Sequence, residues 1–419
     1  MNQKLCNQDT VHYCSPAHGG WGIVRVGMLV PESYQLFVCP FACGRHGALG
    51  ALQQGTKDRI SYLFIDEADI VSGSYENLIE ESIGQVLEAI EYVPKIIFIG
   101  VSCLDDLLGT DHTSLLERLK ERYHIDFQVL HMNPITIGSK NPPPVCIQRN
   151  MYALIKGEAK SNGILNFIGN FIPVAPECEL FDILNQLGIQ KTKHISQFTS
   201  YEDFQTMGES QYNMVLRPEG LLAAKDMEEN NKIEFCFTPV SYEIETIKEY
   251  YQLLRLMINP NINIDLSSYE SSALNKINKT KELVGDTPIS VDTSSVCKPY
   301  NLTKALINYG FNVVTIYADE LPKHEENSYH WLLGNAPHLN IYPAQHHLMI
   351  KREKIKDSSE IAIGYNAGYM SGTDKVVDLV YDETMFGFHG ICQLMDKIEE
   401  AYLNPKDLKT MIENYGLVV

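Results

Sequence analysis

The 419-residue chain is long enough for two or three globular domains, at roughly 150 residues per domain. Apolar residues make up 44% and charged residues 21% of the sequence, an ordinary globular composition that excludes disorder, collagen and coiled coil. The formal charge of −19 repels phosphate backbones and anionic lipid, so a nucleic-acid partner is not expected.

The longest uncharged apolar run covers residues 96–104 (IIFIGVSCL), less than half of the roughly 20 residues that cross a bilayer, so we expect no membrane-spanning segment. The first residues lack the basic and apolar regions of a secretory signal, so we predict a cytoplasmic protein. In such a reducing compartment, the ten cysteines are expected to be thiols, metal ligands or redox groups before disulfides.

Short runs rich in β-branched residues alternate with helical patterns along the whole chain. This alternation predicts βαβ units, and therefore an α/β fold of three Rossmann-like domains with mainly parallel sheets flanked by helices. We predict an N-terminal domain over residues 1–160, a middle domain over 161–285 and a C-terminal domain over 286–419.

In the first predicted domain, the strand-like residues 62–66 precede a helical pattern that Pro94 ends. The next predicted strand covers residues 95–103. After a loop, Ser114 and Glu117 have the spacing of a capping box, which predicts that a helix begins at Ser114.

The polar residues 157–162 (GEAKSN) mark the predicted boundary to the middle domain, where strands ILNFIG, YNMVLR and IEFCFT alternate with helices. Residues 281–287 are interpreted as the linker to the last domain. There, strand PISVDT is followed by a helix for which Gly310 is the expected C-terminal cap.

The densest group of potential metal ligands is a set of cysteines in the first quarter of the chain: Cys6, Cys14, Cys39, Cys43 and Cys103. Thiolates on loops beside glycines suit an iron-sulfur cluster, another soft metal or zinc, because glycine lets the backbone approach closely. The Cys39-to-Cys43 spacing is not a specific zinc or ferredoxin signature, and small buried hydrophobic residues are the alternative interpretation. Nearby His18 and His46 are candidates for proton carriers or for ordinary surface residues.

Several familiar catalytic motifs are missing. Residues 50–57 (GALQQGTK) have the glycine spacing of a phosphate loop but reverse its Lys-Ser/Thr order, so we predict that the chain does not bind ATP. The sequence contains no G-x-G-x-x-G run at a strand-to-helix junction, no G-x-S-x-G and no H-E-x-x-H. Nicotinamide binding and the common hydrolase mechanisms therefore have no support.

Three cysteine segments stand out: Cys14 in CSPAHGG, Cys43 followed by Gly44 in SYQLFVCPFACGRHGALGAL, and Cys103 in CLDDLLGTD. These segments resemble the component-1 superfamily of nitrogenases, which includes the molybdenum-iron protein subunits and dark-operative protochlorophyllide reductase. The segments DIVSGSYENL, ILNFIGNF and MFGFHGICQLM extend the resemblance over most of the chain. It implies an iron-sulfur cluster (4Fe-4S or larger) with Cys14, Cys43 and Cys103 as ligands, and leaves Cys39 as either a fourth ligand or a spare residue.

The sequence departs from nitrogenase at the two positions that hold the large molybdenum-iron cofactor. Alignment to the family places Leu216 at the cofactor cysteine and Val377 at the cofactor histidine. Neither side chain can bind a metal, so we expect no such cofactor anchored there. The remaining candidates for a metal in that region are Cys236, Cys297, His389 and Cys392.

The resemblance implies an oxidoreductase subunit in a nitrogenase-like complex. Electrons would come from a separate iron protein, on which alone ATP is bound and hydrolysed, and would pass through the cluster to a small-molecule substrate that is not dinitrogen. A second component-1-type subunit, homologous or identical, would form a dimer and supply further cluster ligands. The alternatives are a metallocluster assembly scaffold of the same superfamily and a non-metal ligand-binding α/β protein.

Overall fold

The structure is a computed structural model. It describes residues 11, 13, 27–41, 43–44, 48, 51–52, 55–133, 139–293, 295–352, 359–379 and 381–415. These residues form three four-stranded sheets, all parallel, flanked by helices, which confirms the predicted α/β fold. Across the same residues, no helix has both the length and the apolarity to cross a membrane.

The first sheet contains the part of the chain with the candidate cluster cysteines. Its strands are β1 (Ser33–Cys39), β2 (Ile60–Phe64), β3 (Ile96–Ser102) and β4 (Asp126–Met132). They lie in the order β2-β1-β3-β4, and the central β1 and β3 are buried along their whole length. Such burial is typical of parallel strands covered on both faces by helices. The helices here are α1 (Glu67–Ser72), α2 (Tyr75–Ala89), α3 (Cys103–Leu108), α4 (His112–Tyr123) and α5 (Pro143–Tyr152).

Helix α4 begins at His112, so the predicted start at Ser114 is wrong. Its N-cap is Asp111, whose carboxylate accepts hydrogen bonds from the Ser114 N–H at 3.3 Å and the Ser114 hydroxyl at 2.7 Å. Aspartate and serine are both strong N-cap residues, and here Asp111, which precedes Ser114, caps the helix.

The second sheet repeats the strand order of the first. Its strands are β5 (Ile164–Ile168), β6 (Lys191–Lys193), β7 (Tyr212–Val215) and β8 (Glu234–Phe237), in the order β6-β5-β7-β8. The accompanying helices are α6 (Glu179–Leu187), α7 (Tyr201–Gln205), α8 (Leu221–Asn231), α9 (Ile244–Ile258) and α10 (Ser267–Val284).

The third sheet has a different order. Its strands are β9 (Ile289–Asp292), β10 (Val313–Tyr317), β11 (Asn340–Tyr342) and β12 (Ile361–Ile363), in the order β11-β10-β9-β12. The helices are α11 (Pro299–Asn308), α12 (Glu326–Asn335), α13 (Met349–Arg352), α14 (Tyr365–Ser371), α15 (Gly387–Leu403) and α16 (Leu408–Tyr415). Gly310 follows α11 with φ +86°, as its predicted capping role requires.

The second and third sheets share one hydrophobic core. It contains Leu165 of β5 and Val291 of β9, and it continues into Ile277 of α10 and Ile398 of α15. Helix α10 runs to Val284, so the predicted linker at 281–287 is helical in its first part. Each sheet lies inside one of the three predicted domain ranges, and the boundaries themselves stay predictions.

Candidate metal centre

The first sheet has a crevice at the carboxyl ends of its two central strands. Because the strand order reverses direction between β1 and β3, the chain leaves these strands toward opposite faces of the sheet. Open parallel sheets bind ligands at this kind of switch point. Cys43 lies shortly after β1, and Cys103 directly follows β3. The fold therefore brings these two predicted ligands to one edge of the sheet.

Local backbone structure positions both thiols. Cys103 is the first residue of α3, and the preceding Ser102 is an extended N-cap residue. Cys43 is helical, and its N–H donates to the Pro40 carbonyl oxygen at 2.9 Å. Both cysteines are partly buried, and neither forms a disulfide. They are therefore free for metal binding.

The electrostatics of the Cys43–Cys103 pair suit a bound cation. Burial raises the pKa of the Cys43 thiol, and Cys103 raises it further, so the two sulfur atoms lie within electrostatic reach of each other. Two thiolates in this place repel each other and are poorly solvated. A bound metal ion lowers the thiol pKa instead, because coordination removes the proton from a thiol outright. Soft metals and iron-sulfur clusters prefer such sulfur donors.

A glycine next to Cys43 lets this segment pack tightly on β2. A Cβ atom at Gly44 would lie 2.8 Å from the Phe64 ring and 2.9 Å from the Tyr62 ring, which is too close for any other residue without movement. The two rings stack with centroids 5.6 Å apart. These two rings therefore lie directly against the segment that contains Cys43.

The other predicted ligands differ in position. Cys39 ends β1, is 1% exposed and packs in the hydrophobic core. Burial is the main cause that raises the pKa of its thiol to about 12, and the neighbouring Cys43 adds to the effect. This is the environment of a small apolar residue, and its role as a ligand stays a prediction. Cys14, His18 and His46 lie outside the described residues.

Large apolar side chains are exposed at the same edge of the sheet. Phe41 follows β1 and is 78% exposed, Phe64 ends β2 and is 44% exposed, and Leu107 of α3 is 76% exposed. The rings of Phe41 and Phe64 contact each other, with centroids 4.9 Å apart. Large apolar side chains gathered in this way on a surface are uncommon.

The sequence analysis missed a second group of potential ligands next to Cys103. Asp105, His112 and His131 each offer one donor atom, and the three atoms lie within 4.8 Å of one another. Burial alone would raise the pKa of Asp105, but its hydrogen bond to His112 and the charge of His112 outweigh burial and lower it. The two histidines are far apart in sequence and match no ligand motif. Only their placement on α4 and β4, beside α3, would have indicated the group.

The two positions aligned with the nitrogenase cofactor ligands are apolar core. Leu216 is 1% exposed and follows β7, and Val377 is fully buried. The alternative ligands proposed for this region are Cys236, Cys297, His389 and Cys392. All four lie in the described part of the chain, and no three of them bring their donor atoms within reach of one ion.

Charged residues are buried where the second and third sheets meet. Arg217 follows Leu216 at the end of β7, and its Nη1 lies 3.5 Å from the Asp382 carboxylate. Burial disfavours the charged guanidinium of Arg217. Its pKa nevertheless lies well above the ordinary value, because the electrostatic attraction of Cys297, Glu219 and Asp382 is stronger than the effect of burial. Because β5 and β7 flank the switch point of the second sheet, this buried cation lies at the edge where such sheets bind ligands.

Comparisons with known proteins agree with this architecture. The chain belongs to the nitrogenase component 1 type oxidoreductase family, whose model matches residues 20–403, and this confirms the resemblance carried by the cysteine segments. A solved chain described as nitrogenase Cp1 at pH 6.5 has a TM-score of 0.71 at 15% identity, over 95% of this chain and 94% of that chain. A second solved chain, described as nitrogenase Cp1 at pH 5, has a TM-score of 0.62 at 14% identity, over 95% of this chain and 90% of that chain. At these identities the likeness establishes the fold. No curated protein matches at a significant level.

Proposed function

We propose that this chain is the reductase subunit of a nitrogenase-like complex. It takes electrons from a separate ATP-hydrolysing iron protein through an iron-sulfur cluster held by Cys14, Cys43 and Cys103. It delivers them to a small-molecule substrate other than dinitrogen. The convergence of Cys43 and Cys103 at the switch point of the first sheet, in a chain of this family, is the observation that supports the proposal most.

The residues around these thiols have separate tasks in this proposal. A cluster bound here supplies one-electron transfer at low potential. Gly44 allows close packing of the Cys43 segment, and the rings of Tyr62 and Phe64 limit water on one side. The exposed Phe41 and Leu107 contact a second component-1-type subunit, which supplies the remaining ligand.

The substrate binds, in this proposal, near the junction of the second and third sheets. Leu216 and Val377 offer no donor atoms, so a large metal cofactor is not anchored through them. The buried guanidinium of Arg217 lies at the carboxyl edge of β7 and can pair with a negatively charged group of an organic molecule. An organic substrate with an acidic group fits this arrangement.

Metal analysis of protein purified without oxygen tests the cluster. We expect a brown protein that contains iron and acid-labile sulfide. The Cys43→Ala and Cys103→Ala variants should lose most of the iron, because each removes a thiolate ligand. Cys178→Ala and Cys236→Ala are the matched controls and should keep it, since these buried thiols lie in the core of the other sheets. A colourless anaerobic preparation without iron would contradict the proposal.

A second measurement separates a reductase from an assembly scaffold. With an iron protein, ATP and a reductant, a reductase consumes a small-molecule substrate over many turnovers while its iron content stays constant. A scaffold instead loses its metal to an acceptor protein without turnover. Loss of iron to an acceptor protein without turnover would contradict the reductase proposal and support the assembly scaffold.

A further inference from the structure

A second set of metal-binding side chains lies beside the cluster cysteines. Asp105 on α3, His112 at the start of α4 and His131 on β4 each offer one donor atom, and these atoms lie within 4.8 Å of one another. The three residues come from three different elements. Asp105 is 1% exposed, so this carboxylate is fixed in the interior rather than scattered on the surface.

A carboxylate holds each histidine in place. His112 Nε2 lies 2.6 Å from Asp105 Oδ2, and His131 Nδ1 lies 3.0 Å from Asp106 Oδ1. The two rings stand nearly perpendicular, at 83°, with centroids 5.3 Å apart. A carboxylate that accepts from one ring nitrogen orients the imidazole and makes the other nitrogen a better metal ligand. Asp106 therefore prepares His131 to bind a cation.

The group also contains buried polar atoms whose bonding capacity is unused. Within the described residues, neither His112 Nδ1 nor Asp105 Oδ1 has a hydrogen-bond partner of normal geometry, although both are buried. The Tyr75 and Thr110 hydroxyls approach the carboxylate and stabilise its charge without completing such a bond to Oδ1. Native proteins normally pair buried polar atoms, so the unused Asp105 Oδ1 leaves this carboxylate capacity to bind a ligand.

We propose that Asp105, His112 and His131 bind one divalent first-row transition-metal ion, with Asp106 as the residue that orients His131. Two imidazoles and one carboxylate are the protein ligands of three-ligand zinc sites and of ferrous sites. Small side-chain rotations bring the three donors to about 2.0–2.2 Å from one ion, and the ion displaces the proton between Asp105 and His112. The His131 side chain, 37% exposed, leaves a path for the ion to enter.

This site uses no sulfur and does not depend on the proposed reductase function. The experiment adds Zn²⁺ to wild-type protein purified without oxygen with its iron content intact, removes weakly bound metal by dialysis and measures zinc per chain. We expect one zinc ion per chain, and X-ray absorption at the zinc edge should detect only nitrogen and oxygen ligands. Zinc should also raise the melting temperature, because it binds the folded state.

Variants assign the ion to these residues. His112→Ala/His131→Ala should weaken zinc binding by about 100-fold or more, and Asp106→Asn by about 10-fold, while the iron content and circular dichroism stay at wild-type values. The matched control is His330→Ala/His338→Ala, which removes two exposed histidines of the last sheet region and should bind zinc normally. Cys43→Ala should lose iron and keep zinc. Wild-type protein without stoichiometric zinc, sulfur in the zinc shell, or equal losses in both double variants would overturn the proposal.

Discussion

Single side chains decide the chemistry available at the edge of the first sheet. Burial and the neighbouring Cys103 raise the pKa of the Cys43 thiol, and a bound metal reverses this effect because coordination removes the thiol proton. Gly44 contributes through its missing Cβ, because the rings of Tyr62 and Phe64 occupy the space that a larger residue needs. The sequence predicts Cys43, followed by Gly44, as a cluster ligand, and the contact of Gly44 with the aromatic rings is visible only in the folded chain.

A buried histidine predicts how stability depends on pH. His194 is fully buried, with Nδ1 2.7 Å from Ser196 Oγ and Nε2 3.1 Å from the Asn170 carbonyl oxygen. Burial lowers its pKa to about 4, whereas the ordinary value is 6.5. Between these values the unfolded chain takes up a proton and the folded chain does not. The stability contributed by neutral His194 is therefore complete above pH 6.5 and is lost as the pH falls toward 4.

We expect the free energy of unfolding of the wild-type protein to fall by about 2 kcal/mol more, between pH 7 and pH 5, than that of His194→Asn. Urea unfolding without oxygen at the two pH values measures this difference. His330→Asn changes an exposed histidine and should keep the wild-type pH dependence. Identical pH dependence in wild-type protein and His194→Asn would show that burial of this imidazole does not control acid sensitivity.

The N-terminus of helix α15 is capped by a side chain from a distant helix, which the local sequence does not reveal. Helix α15 has no side-chain cap from its own N-cap residue, Phe386. Instead, Glu179 of α6 accepts hydrogen bonds from the Phe388 N–H at 2.6 Å and the His389 N–H at 3.0 Å. The Tyr251 hydroxyl donates to the same carboxylate at 2.7 Å. A buried negative charge at a helix N-terminus also interacts favourably with the helix dipole.

Glu179→Gln should lower the free energy of unfolding by about 1–3 kcal/mol. The amide group has one acceptor oxygen instead of two and turns its NH₂ toward a backbone N–H. Thermal or urea unfolding measures the loss. Glu177→Gln, two residues earlier and exposed, is the matched control and should have wild-type stability. Equal stability of the two variants would show that Glu179 does not act as the cap of α15.

At the scale of the whole molecule, the fold keeps the candidate cluster and the proposed substrate region in different sheets. Cys43 and Cys103 lie at the edge of the first sheet, whereas Arg217 is buried where the second and third sheets meet. The second and third sheets share a continuous core, and another core joins the first sheet to the second. Exposed apolar residues around the cysteines, such as Phe41, lie at the edge where the proposed partner subunit would complete the site.

The whole architecture also predicts that nucleotide chemistry belongs to another protein. Lys57, the lysine of the near phosphate loop, begins a short 3-10 helix (Lys57–Arg59) that runs directly into β2. A phosphate loop instead follows a strand and opens an α-helix. The isolated chain should bind no ATP in equilibrium dialysis and hydrolyse none, and Lys57→Ala should change neither result. Tight ATP binding that Lys57→Ala abolishes would contradict this prediction.

The sequence by itself determined the fold class and the family and indicated the candidate cysteine ligands. It could do so because strand periodicity and short cysteine segments are local signals. It determined strands such as β3 closely and recognised Gly310 as a cap, but the capping-box spacing placed the start of α4 at Ser114, whereas the N-cap is Asp111. Only the tertiary structure brought Asp105 to His131 and Glu179 to α15, since these residues carry no motif and meet through strand order and helix packing. Contacts between distant segments are fixed by the burial of the whole core, which no local pattern encodes.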